Sequence, residues 1–145
     1  MKLLSSLIVG AALIVSACAQ APKQGTTSGA TIAASEAANA RVTASGSFVG
    51  KSKHVTKGQA SIARLGKQWV VILGEDFSFD GAPDPHVALG SDGYRKDASL
   101  ALLASNNGQQ IYAIPANLDV ADFNEIWIWC DKFAVPLGVA KLSLI

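Results

Sequence analysis

The stretch Ile126-Trp127-Ile128-Trp129-Cys130-Asp131 constrains this chain most, because its apolar character alternates with a period of two. Only an extended strand puts successive side chains on opposite faces. Ile126, Ile128 and Cys130 therefore face one way, and Trp127, Trp129 and Asp131 the other. Downstream, Val135-Pro136-Leu137-Gly138 reads as a break in the run, since proline has no N–H for a ladder and glycine tolerates positive φ. A last strand is expected over 139–144.

The preceding eighty or so residues, from Gly46, read the same way. A short glycine-bounded strand over 46–50 is followed by alternation over 58–65, a turn at Gly66, and the run Trp69-Val70-Val71-Ile72-Leu73. That run is apolar on both faces and needs cover on both sides. Phe77 and Phe79 alternate with Ser78 and Asp80, and the turn Gly81-Ala82-Pro83-Asp84-Pro85 follows. His86 opens a strand with Val87 and Leu89 inward. Leu100, Leu102 and Leu103 suit either a strand or one helical turn. Gln110 begins a strand that Pro115 ends. About eight or nine short strands at this spacing predict an all-β, single-domain antiparallel β-sandwich or barrel over 45–145.

The N-terminus reads as an export address. Lys2 precedes an apolar run through Ala17 that is shorter than the ~20 residues of a membrane span. Its end, Val15-Ser16-Ala17-Cys18, resembles the lipobox of bacterial lipoproteins. On that reading residues 1–17 are a signal peptide, Cys18 is lipidated, and acyl chains at ~0.8 kcal/mol per buried methylene anchor the chain in the lipid bilayer. Ala19 is not the aspartate of an inner-membrane retention signal, so the expected location is the cell envelope, at the outer membrane of a Gram-negative host. Residues 18–44, rich in Gln, Thr, Ser, Gly and then Ala, read as a flexible tether.

Losing Lys2 with the signal takes the formal charge from +1 to zero. A neutral domain has no electrostatic footprint for nucleic acid. Of the two cysteines, lipidated Cys18 leaves Cys130 without a partner in the chain. An unpaired exported cysteine is buried, reactive or intermolecular.

Several ordered segments together resemble the DM13 domain in its bacterial lipoprotein form. They are Gly46-Ser47-Phe48-Val49-Gly50-Lys51 with His54 and Gly58, the segment from Asp76-Phe77-Ser78-Phe79-Asp80 through His86-Val87, Gln110-Ile111-Tyr112-Ala113-Ile114-Pro115, and Ile128-Trp129-Cys130 with Phe133-Ala134-Val135-Pro136-Leu137-Gly138. The resemblance implies a β-rich extracytoplasmic module with a redox or electron-transfer role, centred on Cys130 as a bare thiol or as a ligand to a group such as haem. An unidentified redox or envelope protein is the expected partner.

The candidate residues admit competing readings. Cys130 as a redox thiol needs access and a neighbour that favours thiolate, a part open to Lys132 if the strand continues. Cys130 as packing would behave as a small hydrophobe beside Ile126 and Ile128. No Cys-x-x-Cys-His is present, so haem would be non-covalent, with axial ligands drawn from His54, His86, Cys130, Tyr94 or Tyr112. Asp76, Asp80 and Asp84 begin like a calcium loop, but Val87 stands where an EF-hand needs glutamate. Their bland alternative is to cap local backbone amides. Motifs for hydrolases and phosphate loops are missing. Trp69, Trp127 and Trp129 suit a sugar- or partner-stacking surface, but at least two are expected as core or inter-sheet packing. Two functions of different class follow: an envelope-anchored redox module centred on Cys130, or a non-catalytic binding or structural module in which Cys130 is packing.

Overall fold

A computed structural model of the chain describes residues 31, 32 and 34–145. The expected signal peptide, Cys18 and most of the tether lie outside those residues. Among the described residues, no helix is long and apolar enough to cross a membrane.

Among the described residues, the regular structure is almost wholly strand. β1 (Thr31–Ile32) and a 3-10 turn (Ala34–Asn39) lead into β2 (Arg41–Gly50), and β3 (Thr56–Lys57), β4 (Gln59–Leu65) and β5 (Gln68–Leu73) follow. Then come β6 (Ser78–Phe79), β7 (Pro85–Gly90), β8 (Tyr94–Leu102) and β9 (Gln110–Ala113). A second 3-10 turn (Val120–Asp122) precedes β10 (Glu125–Cys130), β11 (Val135–Lys141) and β12 (Ser143–Leu144). One antiparallel sheet runs in the order β1-β9-β5-β4-β2-β11-β10-β7-β8, with β12 beside β2, and β3 and β6 form a separate ribbon. The all-β, barrel-like expectation holds.

Strand β2 turns the corner of this nearly closed sheet. Its residues from Arg41 to Ser47 pair with β4, whereas Phe48, Val49 and Gly50 pair with β11. The open side between β8 and β9 is bridged where the Ala104 N–H, just past β8, donates to the Tyr112 hydroxyl of β9. Inside lies one core that includes Phe48, Phe77, Phe79, Val71, Leu73, Val87, Leu89, Ile126, Ile128 and Leu137. Each such aliphatic or aromatic side chain contributes about 1.5–3 kcal/mol when fully removed from water.

Strand β5 is covered on both faces, as its sequence requires. Val71 and Leu73 enter the main core, while Val70 and Ile72 join Ala63 and Ile111 in a second cluster, against which Ala37, Ala40 and Leu65 pack. This explains a difference from the expected tether. Ordered structure starts before Ser45, because the outer face of β5 needs apolar cover and the alanine-rich segment supplies it. The leucines around 100–103 resolve as strand through Leu102.

The expected break at Pro136 and Gly138 is instead the interior of β11. Trp129 pairs with Pro136 and Ile128 with Gly138, so Leu137 is the extra residue of a β-bulge. Pairing of β11 with β2 covers only Gly138 to Ala140. At Pro136 the strand is therefore laddered on one side, where a missing N–H costs nothing. The bulge turns Leu137 into the core at 1% exposure.

Gly138 is required by close approach. A Cβ there would stand 2.6 Å from Cβ of Thr56, which is itself buried and donates from Oγ1 to the Leu137 carbonyl at 2.9 Å. Gly138→Ala should lower stability by about 1–3 kcal/mol through overpacking. Urea unfolding checks this: the midpoint should fall at unchanged slope.

Candidate functional site

The site is the end of β10, where two faces of one strand carry different chemistry. Pairing with β7 and β11 fixes Ile126, Ile128 and Cys130 toward the core. Cys130 is 1% exposed, and its Sγ donates to the Pro83 carbonyl at 3.0 Å. Its cover on that side is slight. Residues 81–84 form a half-buried to exposed turn, and residues 131–134 form an exposed one. Lys132 does not share the face of Cys130, because the strand ends at Cys130 and the chain turns. Its Nζ instead sits 5.6 Å from the centre of the Phe133 ring.

The outer face carries aromatic side chains. Trp129 stacks on Tyr94 with ring centres 4.0 Å apart and planes 3° from parallel, and Trp127 meets Trp129 edge-on at 6.5 Å. Trp127 lies over Gly90, where a Cβ would come 2.3 Å from its Nε1. That nitrogen donates to Glu125 Oε2 at 3.0 Å, which also accepts the Gly93 N–H at 2.8 Å, so the buried Glu125 carboxylate is held by two donors. Trp69, Trp127 and Trp129 are all half-buried, with Trp69 packed against the main core. The inward positions of β10 already belong to Ile126 and Ile128.

Beside the aromatics, His86 on β7 pairs with Trp129. Its Nε2 stands 3.1 Å from Asp84 Oδ1 and 3.7 Å from Asp131 Oδ2. The Tyr94 hydroxyl donates to the other oxygen of Asp131 at 3.4 Å. Burial, and then the charge of Asp131, raise the Tyr94 phenol above its ordinary value. Asp131 was not singled out from sequence as a site residue. Alternation placed it beside Trp129, but its meeting with His86 depends on the pairing of β7 with β10.

The other candidates lie apart from one another. His54 Nδ1 is 2.9 Å from Asp80 Oδ1, and Asp80 Oδ2 accepts the Val55 N–H at 3.0 Å. Asp76 accepts the Gln59 N–H at 3.0 Å. Asp76, Asp80 and Asp84 thus hold three separate partners and do not converge as a calcium loop does. The proposed haem ligands are also dispersed. Cys130 faces the core, His86 the opposite face of the same sheet, and Tyr112 is buried with its hydroxyl bonded to Gln110 Oε1 at 2.6 Å. Cys130, His86 and Tyr112 therefore do not converge on one point. A cleft of about 730 Å³ between Arg64, Trp69, Asn117 and Asp119 contains none of these residues.

The family described as Electron transfer DM13 matches residues 47–142, from the middle of β2 to the end of β11. No curated protein and no solved structure matches the chain.

The Asp80 carboxyl lies below its ordinary value of 3.8, first through the Val55 N–H and then through His54. A carboxyl lowered on folding stabilises above its unfolded value, and that contribution is lost as pH falls through the folded value. Asp80→Asn should therefore be less stable than wild type at neutral pH and lose less stability between about pH 5 and pH 2. Thermal melts across that range check this. Some acid slope should persist, because Arg95 lowers Asp97 in the same way.

Proposed function

We propose that this chain, which belongs to the electron-transfer DM13 family, is an exported redox module anchored through lipid on Cys18 and centred on the Cys130 thiol. One observation carries the reading of Cys130. Its sulfur is bonded to Pro83 of a short surface turn, at the end of a strand and beside a second exposed turn. Lifting one turn would uncover it without opening the barrel.

The chemistry suited to such a thiol is exchange with a disulfide of an envelope partner. The Cys130 proton passes to water, and the thiolate attacks one partner sulfur. The partner's S–S bond breaks as the new one forms, and the second sulfur leaves as thiolate. One partner sulfur is thereby reduced and the other stays bound to Cys130, so the two-electron reduction of the partner is complete only when a second thiol resolves the mixed disulfide. With Cys18 carrying lipid, the chain has no resolving cysteine, so a second thiol from outside must release the mixed disulfide. The lipid anchor is supported by Val15-Ser16-Ala17-Cys18 and by the short apolar run before it.

A specific observation favours the second reading, a binding or structural module. Cys130 is as buried as its aliphatic neighbours and belongs to their cluster. Denaturant dependence of thiol labelling separates the two. Under the redox reading, Cys130 of the full chain labels slowly in buffer, at a rate almost independent of low denaturant, because only a local opening is needed. Pro83→Gly should speed that labelling about two- to fivefold by freeing the turn's opened state. Labelling that rises with denaturant in step with global unfolding, in both proteins, would leave Cys130 as packing and favour the binding module.

A further inference from the structure

We propose that Asp84, His86 and Asp131 form a binding site for a divalent first-row transition cation, tightest for copper(II), on the outer face of the β7–β10 pair. One ligand atom from each residue lies within 4.8 Å of the others. Two donors held at about 2.0–2.2 Å from one ion stand at most about 4.0–4.4 Å apart. His86 Nε2 already meets that limit to both carboxylates, at 3.1 and 3.7 Å. Any remaining gap between the carboxylates closes by rotating exposed side chains.

The imidazole distinguishes this group from an acidic patch, since its Nε2 is the atom directed at both carboxylates. One nitrogen and two carboxylate oxygens suit zinc, nickel and copper(II) better than magnesium or calcium, which take all-oxygen shells. Affinity for such a site rises along the first row to copper(II).

The backbone holds the three residues in place. His86 pairs across the ladder with Trp129, and Asp131 follows Trp129 by two residues on the same strand end. The Asp131 N–H donates to the Asp84 carbonyl at 3.2 Å, tying the two carboxylate residues together. Among the described residues, the ion-pair partner within 4.0 Å of either carboxylate is His86 itself. The neighbouring cation, Lys132, lies over Phe133. Two carboxylates thus converge on one imidazole nitrogen, with no lysine or arginine paired to either among the described residues. The Tyr94 hydroxyl, bonded to Asp131, would orient that ligand from behind. The side chains are 22% exposed for His86, 44% for Asp84 and 37% for Asp131. That exposure gives an ion a way in and leaves positions for water.

The site does not depend on Cys130, which faces the other side of the sheet. Its test therefore stands or falls separately from that of the redox reading. Trp129, opposite His86 and stacked on Tyr94, supplies the readout, because bound copper(II) quenches nearby indole emission.

The full chain is titrated with copper(II) by tryptophan fluorescence and with zinc(II) by calorimetry. The expected result is one saturable equivalent of copper with quenching, displaced by excess zinc with recovery of emission. Asp84→Asn and Asp131→Asn should each weaken binding by about tenfold or more, at unchanged circular dichroism. Asparagine keeps the side-chain shape and tolerates the positive φ of 56° at Asp84. Cys130→Ser and Asp80→Asn should bind as wild type does. No saturable binding, binding retained by both asparagine variants, or binding lost in Cys130→Ser would overturn the proposal.

Discussion

The placement of β10 between β7 and β11 is the constraint on which the rest depends. A strand has period two, so a slip of one residue would turn Trp127, Trp129 and Asp131 inward and Ile126, Ile128 and Cys130 outward. Burying an aspartate and exposing two isoleucines costs several kilocalories per mole by transfer alone. The register is therefore firmly fixed, and with it the positions of both candidate centres. Cys130 is inside because Ile126 and Ile128 are inside. His86 and Asp131 meet because β7 pairs with the same strand on its other edge.

The same strand explains the least regular part of the fold. Two bulky indoles on the outer face need room, and each neighbour provides it differently. β7 offers Ala88 opposite Trp127 and a glycine at Gly90 beneath its ring. β11 offers Pro136 opposite Trp129 and then a bulge. The bulge returns Leu137 to the core and brings Gly138 against Thr56, joining the β3–β6 ribbon to the main sheet. The aromatic surface, the bulge and the Thr56 contact are thus linked consequences of one alternating segment.

Much of this was legible in the sequence because period-two patterning is local. The two faces of β10, the double cover over β5 and the inward pair Val87 and Leu89 all follow from a few adjacent residues. Failures came where the outcome depends on a distant partner. Pro136 and Gly138 read as a break, since a bulge is visible only against the opposing strand. The alanine-rich segment read as tether, since nothing local says that its methyls cover Val70 and Ile72. Which of the three tryptophans pack inward is not legible locally, because size says nothing of which face is already filled. The meeting of Asp84 and His86 with Asp131, some forty-five residues later, needed the order of strands in the sheet.

The redox role proposed for this DM13 domain depends on how a buried thiol beside a surface turn behaves in the folded protein. Burial keeps Cys130 from adventitious oxidation, while the turn at residues 81–84 leaves it one local motion from water. Incubation of the folded full chain with oxidised glutathione, followed by intact mass and peptide mapping, tests this most directly. The redox account predicts a single glutathione adduct on Cys130, formed without loss of near-ultraviolet circular dichroism, reversed by a reducing thiol and missing from Cys130→Ser. An adduct that forms only after the barrel unfolds, or none at all, would contradict it.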